Sequence, residues 1–239
     1  MKKILTAEKI GFTFFCIGLF LLPSALFLGI IFLITSLIIS TIFNYKEYFK
    51  DSWNLPFFIS GFLLFVSSLV HSLSTETVHQ YEINSYFSWV GLANWIPFFW
   101  CFWGFKYYLN SLERRRLSSL ILIAGSFPVF ISGFGQYFFN WFGPLRTLFG
   151  SIIWFQRPIL EREGMTGLFN NANYLAAWLN LIWPFCLASL VYARKSIYEK
   201  STVIAFILGT SLSLILTNSR SAWIGLIVGT FLTIGRKKY

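Results

Sequence analysis

The chain has 239 residues, of which 56% are hydrophobic and only 12% are charged, and its formal net charge is +10. A soluble domain carries about 25% charged residues, and a single core cannot bury so large an apolar surplus. Because lipid can cover apolar surface, the composition excludes an ordinary soluble domain. It predicts an all-α, polytopic integral membrane helical bundle in which the basic residues set orientation and do not bind nucleic acid.

Eight apolar runs follow one another along the chain, and most approach the roughly 20 residues that cross a bilayer. They cover 10–22, 25–43, 55–73, 87–109, 117–139, 174–193, 202–217 and 221–235. The sequence therefore predicts about eight transmembrane helices in a single membrane domain over 1–239. Pro23-Ser24 separates the first two runs. Because proline breaks the helical hydrogen-bond ladder, a tight helical hairpin is favoured there over one long kinked helix.

The basic residues are distributed asymmetrically between the two sides that this layout defines. If the N-terminus is cytoplasmic, all but four of the 19 lysines and arginines lie on the inner side. The four on the outer side are Arg146, Arg157, Arg162 and Arg220. Cytoplasmic loops of membrane proteins carry such an excess of basic residues. We therefore expect a multi-pass protein of the plasma (inner) membrane, with the N-terminus and residue 239 in the cytoplasm.

Ionisable side chains are scarce in the apolar runs. Away from their ends the runs contain no Asp, Glu, Lys or Arg, and His71 lies near the outer end of the third run. Pumps and ion-coupled transporters usually keep an ionisable group near midplane, so this absence disfavours them. His79 lies in an outer loop with Glu76 and Glu82, but their spacing matches no metal-ligand pattern, and the three cysteines show none either. The sequence predicts no metal and no cofactor.

The outer segment 140–173 is too long for a simple connector, and long loops are often functional. Its first part, 141–155, carries apolar residues at near-helical spacing, which predicts a helix lying along the membrane surface. Arg146 and Arg157 would then lie at headgroup depth. A guanidinium group donates paired hydrogen bonds, so arginines there suit a phosphate or pyrophosphate.

Two short polar elements follow. The first contains Asn170, Asn171 and Asn173 at the start of the sixth run, and the second contains Ser219 and Arg220 between the last two runs. Asparagine caps helices well, but three exceed what capping needs, so their amides are candidates for a polar ligand. An arginine in so short a turn is held near the membrane and needs a partner or a phosphate.

These elements resemble the O-antigen ligase and polymerase superfamily of bacterial envelopes over about 165–230. The matching residues are Gly167, Phe169, Asn171, Asn173 and Ala176, followed about 45 residues later by Ser219-Arg220-Ser221-Ala222-Trp223. The family often has Asn-Pro-Asn where this chain has Asn171-Ala172-Asn173, which removes a rigid turn but keeps both amides.

The resemblance implies a multi-helix glycosyltransferase on the outer face of the plasma membrane. Such an enzyme moves a glycan from a polyprenyl-pyrophosphate carrier to an acceptor sugar without metal or nucleotide sugar. Arg220 matches the family's motif arginine and takes the catalytic role of stabilising the pyrophosphate leaving group. The residues assigned to substrate binding are Arg146, Arg157, Arg162, Asn171, Asn173 and Ser219.

The family pattern also includes a later outer loop with a histidine proposed as general base, and neither His71 nor His79 occupies the matching region. We therefore expect this chain to be the N-terminal portion of a ligase. The less favoured alternative is a shortened member of the family that binds a lipid-linked glycan without transferring it. Two further alternatives remain: a transporter for inorganic carbon or a lipid-linked oligosaccharide, and a non-catalytic membrane subunit. In each case we expect membrane lipid to be a partner, and we expect no binding of nucleic acid.

Overall fold

The computed structural model describes residues 2–73, 86–150, 152–160, 163–192 and 197–235. Within these ranges the chain forms nine α-helices and one two-stranded sheet. The helices are Lys2–Leu21 (α1), Leu26–Asn44 (α2), Asn54–Leu73 (α3), Tyr86–Phe105 (α4), Leu112–Gly125 (α5), Phe127–Phe139 (α6), Ala172–Tyr192 (α7), Ile197–Leu216 (α8) and Arg220–Gly235 (α9). The prediction of a mainly helical protein is confirmed, whereas the loop with Glu76, His79 and Glu82 lies outside the described residues.

Four helical segments in the described part of the chain are long and apolar enough to cross a membrane. They are Leu26–Lys50, Asn54–Leu73, Leu112–Phe139 and Ala172–Val191. Two shorter apolar helices, Lys200–Leu216 and Arg220–Gly235, follow them. The helices coincide with the predicted runs, but eight crossings stay a prediction.

The predicted turn at Pro23-Ser24 is confirmed. Helix α1 ends at Leu21 and α2 begins at Leu26, and the backbone N–H of Ala25 donates to the Leu21 carbonyl at 2.7 Å. After the turn, Gly29 lies so close to α1 that an added Cβ would be 2.9 Å from the Leu22 nitrogen. The chain therefore folds back on itself, and a single kinked helix is excluded.

The fifth run was predicted as one helix, but it contains a break. Helix α5 ends at Gly125, and α6 begins at Phe127 with Pro128 in its first turn. Proline has no N–H to donate, so the α-helical ladder is interrupted there. Ser126 bridges the break, because its carbonyl accepts the N–H of Val129 at 3.0 Å.

The prediction of a surface helix over 141–155 is wrong. Gly143–Thr147 (β1) and Ile152–Gln156 (β2) instead form an antiparallel hairpin, with Arg146 opposite Ile153. Two features of the sequence favour strands here. β-Branched and aromatic residues fill β2, and Gly150, with φ +87°, takes a positive φ in the turn that glycine adopts without steric cost. Near-helical spacing of apolar residues was a weaker signal than this turn chemistry.

Contacts divide the chain into two compact units, which leaves the prediction of a single membrane domain untested. The first unit consists of Met1–Phe15 and Phe32–Arg115, and the second of Cys16–Ile31 and Arg116–Tyr239. The first unit is held by side chains between helices. Tyr108 donates from its hydroxyl to the Ser36 carbonyl at 2.7 Å, and Ser40 donates to the Gly104 carbonyl at 2.7 Å.

The second unit has its core where α6, α7, α8 and α9 meet. Val129, Leu175, Leu179, Leu214 and Ala222 belong to one buried cluster. These residues come from four helices, so the core fixes how the ends of those helices are arranged.

Helices α7 and α9 run parallel. Their contacts follow the same order along both helices: Asn173 with Ser219, Asn180 with Gly225, and Trp183 with Thr230. An added Cβ on Gly225 would be 2.6 Å from the Asn180 amide nitrogen, so glycine allows the close approach. Since α8 connects two parallel helices, it must run back between them, and the N-termini of α7 and α9 lie at the same end of the unit.

Candidate functional site at the N-termini of α7 and α9

The two motif segments found in the sequence are in direct contact. Ser219 donates from its hydroxyl to the side-chain oxygen of Asn173 at 3.1 Å, across 46 residues of chain. Ser219 is 5% exposed, whereas Asn173 is exposed. The Ser219 hydroxyl also lies 3.0 Å from that of Ser221. Two of the predicted binding residues therefore belong to one polar cluster at the end of the unit.

The turn before α9 presents Arg220 at the first position of that helix. Asn218 takes a left-handed conformation with φ +53°, which reverses the chain after α8. Thr217 holds the turn, since its hydroxyl donates to the Leu214 carbonyl at 2.7 Å, and the N–H of Ala222 donates to the Ser219 carbonyl at 3.0 Å. Arg220 is exposed, so its guanidinium is available to a ligand.

Asn171 acts first as a cap of α7. Its side-chain oxygen accepts the N–H of Asn173 at 2.8 Å, and its carbonyl accepts the N–H of Leu175 at 3.1 Å. Asn170, immediately before it, has φ +52°. The capping oxygen therefore already accepts one hydrogen bond, and the Asn171 amide NH₂ is the better placed group to meet a ligand.

The sequence analysis missed Gln136, which organises the loop in front of α7. Its side-chain oxygen accepts the N–H groups of Thr166 and Gly167, both at 2.9 Å. Its amide nitrogen donates to the Arg157 carbonyl at 2.8 Å and to the Thr166 hydroxyl at 2.9 Å. Gln136 is 3% exposed. Gln136 is the only residue with an amide side chain in the run 117–139. Because a polar group in a membrane span is costly unless it is paired, the sequence alone could have indicated that Gln136 has hydrogen-bond partners.

A second contact ties this loop to the turn before α9. The N–H of Met165 donates to the Leu216 carbonyl at 2.8 Å. Beside it, Gly164 packs against Thr217 so tightly that a Cβ would be 1.8 Å from the Thr217 carbonyl oxygen. The loop 163–167 therefore packs on the α8–α9 turn, and Gln136 links it to the end of the hairpin.

The predicted arginines occupy different parts of the second unit. Arg220 begins α9 beside Ser219, Arg157 directly follows β2, and Arg146 lies on β1. Arg162 lies outside the described residues. Among the ion pairs of the described ranges, none involves Arg146, Arg157 or Arg220. Arg220 therefore lies next to the polar cluster through its neighbour Ser219, whereas Arg157 is linked through its backbone carbonyl to Gln136, and Arg146 lies in the hairpin.

An apolar groove of about 620 Å³ opens beside the entry to α7. It is bounded by the α1–α2 turn, by the hairpin and by residues on either side of 170–173. Its lining includes Phe27, Ile153, Phe169 and Tyr174. Trp154 closes one wall by donating from its indole to the Ser24 carbonyl at 2.5 Å. Because Phe169 and Tyr174 flank Asn170–Asn173, the apolar groove directly adjoins the polar cluster.

Comparisons of the chain with protein-family models, with curated proteins and with solved structures find no match. The type of ligand is therefore inferred from the residues of the site. The site combines neutral amides and hydroxyls, guanidinium groups that form no ion pair with a described carboxylate, and an adjoining apolar groove. Such a site suits a molecule with an anionic head and an apolar tail.

Proposed function

We propose that this protein is an O-antigen-ligase-like membrane protein that binds a glycan carried on polyprenyl pyrophosphate. The observation that carries the proposal is the hydrogen bond between Ser219 and Asn173, because it joins the two segments on which the family resemblance rests. Arg220 follows Ser219 directly, so a pyrophosphate on Arg220 lies within reach of the same cluster. The apolar groove beside α7 takes the first part of the polyprenyl chain.

Charge chemistry supports this assignment. Guanidinium groups bind phosphate oxygens through paired, charge-assisted hydrogen bonds. During transfer, the oxygen of an acceptor hydroxyl attacks the anomeric carbon and gives up its proton to water, and the bond from that carbon to the pyrophosphate oxygen breaks. The leaving pyrophosphate gains negative charge, which Arg220 stabilises electrostatically. Arg157 and Arg146, which are exposed in the same unit, are assigned to phosphate groups of the carrier, and Asn173 and Ser219 to its other polar groups.

The proposal requires that residue 220 face the outside of the plasma membrane. An eight-crossing layout with a cytoplasmic N-terminus satisfies this requirement, and it keeps most basic residues inside. The parallel direction of α7 and α9 supports the alternation of the last three crossings. Arg220→Cys, in a cysteine-free background, should react with an impermeant maleimide added outside intact cells. Reaction only after the cells are opened would overturn this orientation.

The direct test is binding of a radiolabelled polyprenyl diphosphate to purified protein in nanodiscs. We expect Arg220→Ala to weaken binding by about 10- to 100-fold, since a hydrogen bond to a charged group contributes about 1.5–3 kcal/mol. Arg220→Lys should bind at an intermediate level because it keeps the charge but loses the planar fork. Arg115→Ala, an exposed arginine on α5, is the matched control and should bind like the wild type.

Two results would contradict the proposal. One is equal binding of polyprenyl diphosphate and the uncharged polyprenol by the wild type. The other is an Arg220→Ala variant that binds as well as Arg115→Ala. Glycan transfer to an acceptor needs its own assay, because binding alone does not distinguish a catalytic protein from a carrier-binding subunit.

A further inference from the structure

A second groove lies in the second unit between α5, α7 and α8, and its volume is about 370 Å³. It shares no lining residue with the groove beside the entry to α7. Its apolar wall includes Ile123, Cys186 and Phe206. Ile123 and Cys186 also belong to a buried cluster, so this wall is part of the packed interior of the unit.

One end of the groove is polar. Arg116 lines it together with the side chains of Ser189 and Thr202. Arg116 is the last of three consecutive arginines at the start of α5. A cavity with a long apolar wall and one guanidinium at its end matches a molecule that is apolar along its length and anionic at its head.

The three neighbouring arginines differ in their partners. Arg114 pairs with Glu8 at 2.6 Å, and its guanidinium lies 5.0 Å from the centre of the Phe12 ring. Arg115 donates to the Ser111 carbonyl at 3.4 Å. In the ranges that the structure describes, Arg116 forms no ion pair with a carboxylate. Its charge is therefore not neutralised by any carboxylate that the structure describes, although it lines a cavity.

We infer that this groove binds an anionic phospholipid, with an acyl chain along the apolar wall and the phosphate at Arg116. Basic pockets between membrane helices on the cytoplasmic side bind anionic headgroups in this manner. In the proposed orientation the start of α5 faces the cytoplasmic leaflet, where anionic lipid attracts basic side chains. The inference rests on the proposed membrane location but not on the proposed glycan chemistry.

The test is competition between two lipids in nanodiscs. Purified protein is embedded in an equal mixture of phosphatidylglycerol and phosphatidylcholine, and native mass spectrometry counts the lipids that it retains. We expect the wild type to retain phosphatidylglycerol preferentially. Arg116→Gln should lower the ratio of retained phosphatidylglycerol to phosphatidylcholine about fivefold, the contribution of one basic side chain near an anionic surface. Arg115→Gln is the matched control and should keep the wild-type ratio.

A second variant tests the acyl-chain part of the site. Ala124 lines the groove and is exposed, so Ala124→Phe should fill the groove while Arg116 stays in position. We expect this variant to retain less of both lipids, with a thermal unfolding midpoint like that of the wild type. Retention of both lipids at wild-type levels would show that the chain does not occupy the groove and would overturn the inference.

Two other outcomes would also overturn the inference. Arg116→Gln and Arg115→Gln could give the same lipid ratio, which would mean that Arg116 does not bind the phosphate of the lipid. Alternatively, glycerol phosphate without acyl chains could displace phosphatidylglycerol, which would define a site for small anions. Arg220→Ala should keep the wild-type lipid preference, so failure of the carrier-binding proposal is recognised separately.

Discussion

Helices α3 and α7 look alike in sequence but have different surroundings. Their most apolar stretches have mean hydropathies of 1.7 and 1.6, yet 11% of that stretch is buried in α3 and 39% in α7. In α7, Leu175, Leu179 and Ile182 are fully buried, whereas Leu63 of α3 is 61% exposed. Hydropathy therefore indicates which segments can enter a membrane, but it does not indicate which of them form the packed interior.

The contacts of the two helices explain the difference. Helix α3 meets α4 through aromatic rings, such as Phe57 against Phe102 at 4.5 Å between centroids, and through a hydrogen bond from Trp89 to the Ser72 hydroxyl at 2.6 Å. Helix α7 meets α9 through a glycine at Gly225 and through a hydrogen bond from Trp183 to the Thr230 hydroxyl at 2.7 Å. Small residues permit close approach of membrane helices, and polar side chains join them. Both helices use such contacts, so the difference in burial follows from their neighbours: among the described residues α7 packs against both α8 and α9, whereas α3 packs against α4.

The largest effect that we expect in the packed region comes from Gly164→Ala. The added Cβ would be 1.8 Å from the Thr217 carbonyl oxygen, which belongs to the backbone and cannot move independently. Overpacking usually costs about 1–3 kcal/mol, and a backbone clash lies at or above the upper end of that range. The thermal unfolding midpoint in detergent should fall steeply.

Gly209→Ala is the matched control for that variant. Gly209 lies in α8 of the same unit, but an added Cβ there would have no atom within 4 Å. Alanine also favours a helix over glycine by about 1 kcal/mol. Gly209→Ala should therefore unfold at or above the wild-type temperature. If both variants unfold at the same temperature, the tight contact between the loop and the α8–α9 turn does not exist.

The second prediction compares the effect of a leucine-to-alanine substitution in α7 with that of the same substitution in α3. Leu179→Ala removes a fully buried side chain and should lower the free energy of unfolding by about 3 kcal/mol, within the range for buried leucines. Leu63→Ala removes an exposed side chain and should change it by no more than about 0.5 kcal/mol. Denaturation of both variants in the same detergent measures the difference. Equal losses would mean that α3 is as deeply packed as α7.

The sequence predicted the parts of this fold that depend on local physics. Long apolar runs became helices, Pro23-Ser24 became a turn, and α7 begins just after Asn171. Each of these outcomes depends on the types of a few neighbouring residues. The hairpin at β1 and β2 was missed because an apolar segment at an interface can bury its side chains as a helix or as strands, and the composition of β2 together with the turn at Phe149-Gly150 decides between them.

The candidate site was predictable only in its residues, not in its architecture. Asn173 and Ser219 were selected separately, and nothing in the sequence indicated that they hydrogen-bond to each other. Gln136 was overlooked because its four hydrogen bonds are made with Arg157, Thr166 and Gly167. These residues come close to Gln136 only in the folded protein. Polar groups in apolar segments need partners, but the partner's identity depends on long-range packing that local patterns do not contain.

The polar contacts of the two units also differ in charge. Around Gln136 in the second unit, the hydrogen bonds join uncharged groups. In the first unit, Lys106 pairs with Asp51, just outside α3 and α4. The hydrogen bond from Lys106, followed by that from the Trp53 N–H, holds the pKa of Asp51 below its usual value of 3.8. Because folding favours the carboxylate, this contribution to stability is present above pH 3.8 and is lost as the pH falls through the lowered pKa.

The smallest expected effect is therefore a pH-dependent one. In unfolding measured from about pH 6 down to about pH 3, Asp51→Asn should remove a small part of the acid sensitivity, since an exposed ion pair contributes little. Lys106→Met should remove the same part, and the double variant should lose no more than either single variant, because both remove one interaction. If the acid profile of Asp51→Asn coincides with that of the wild type, the pair does not stabilise the fold.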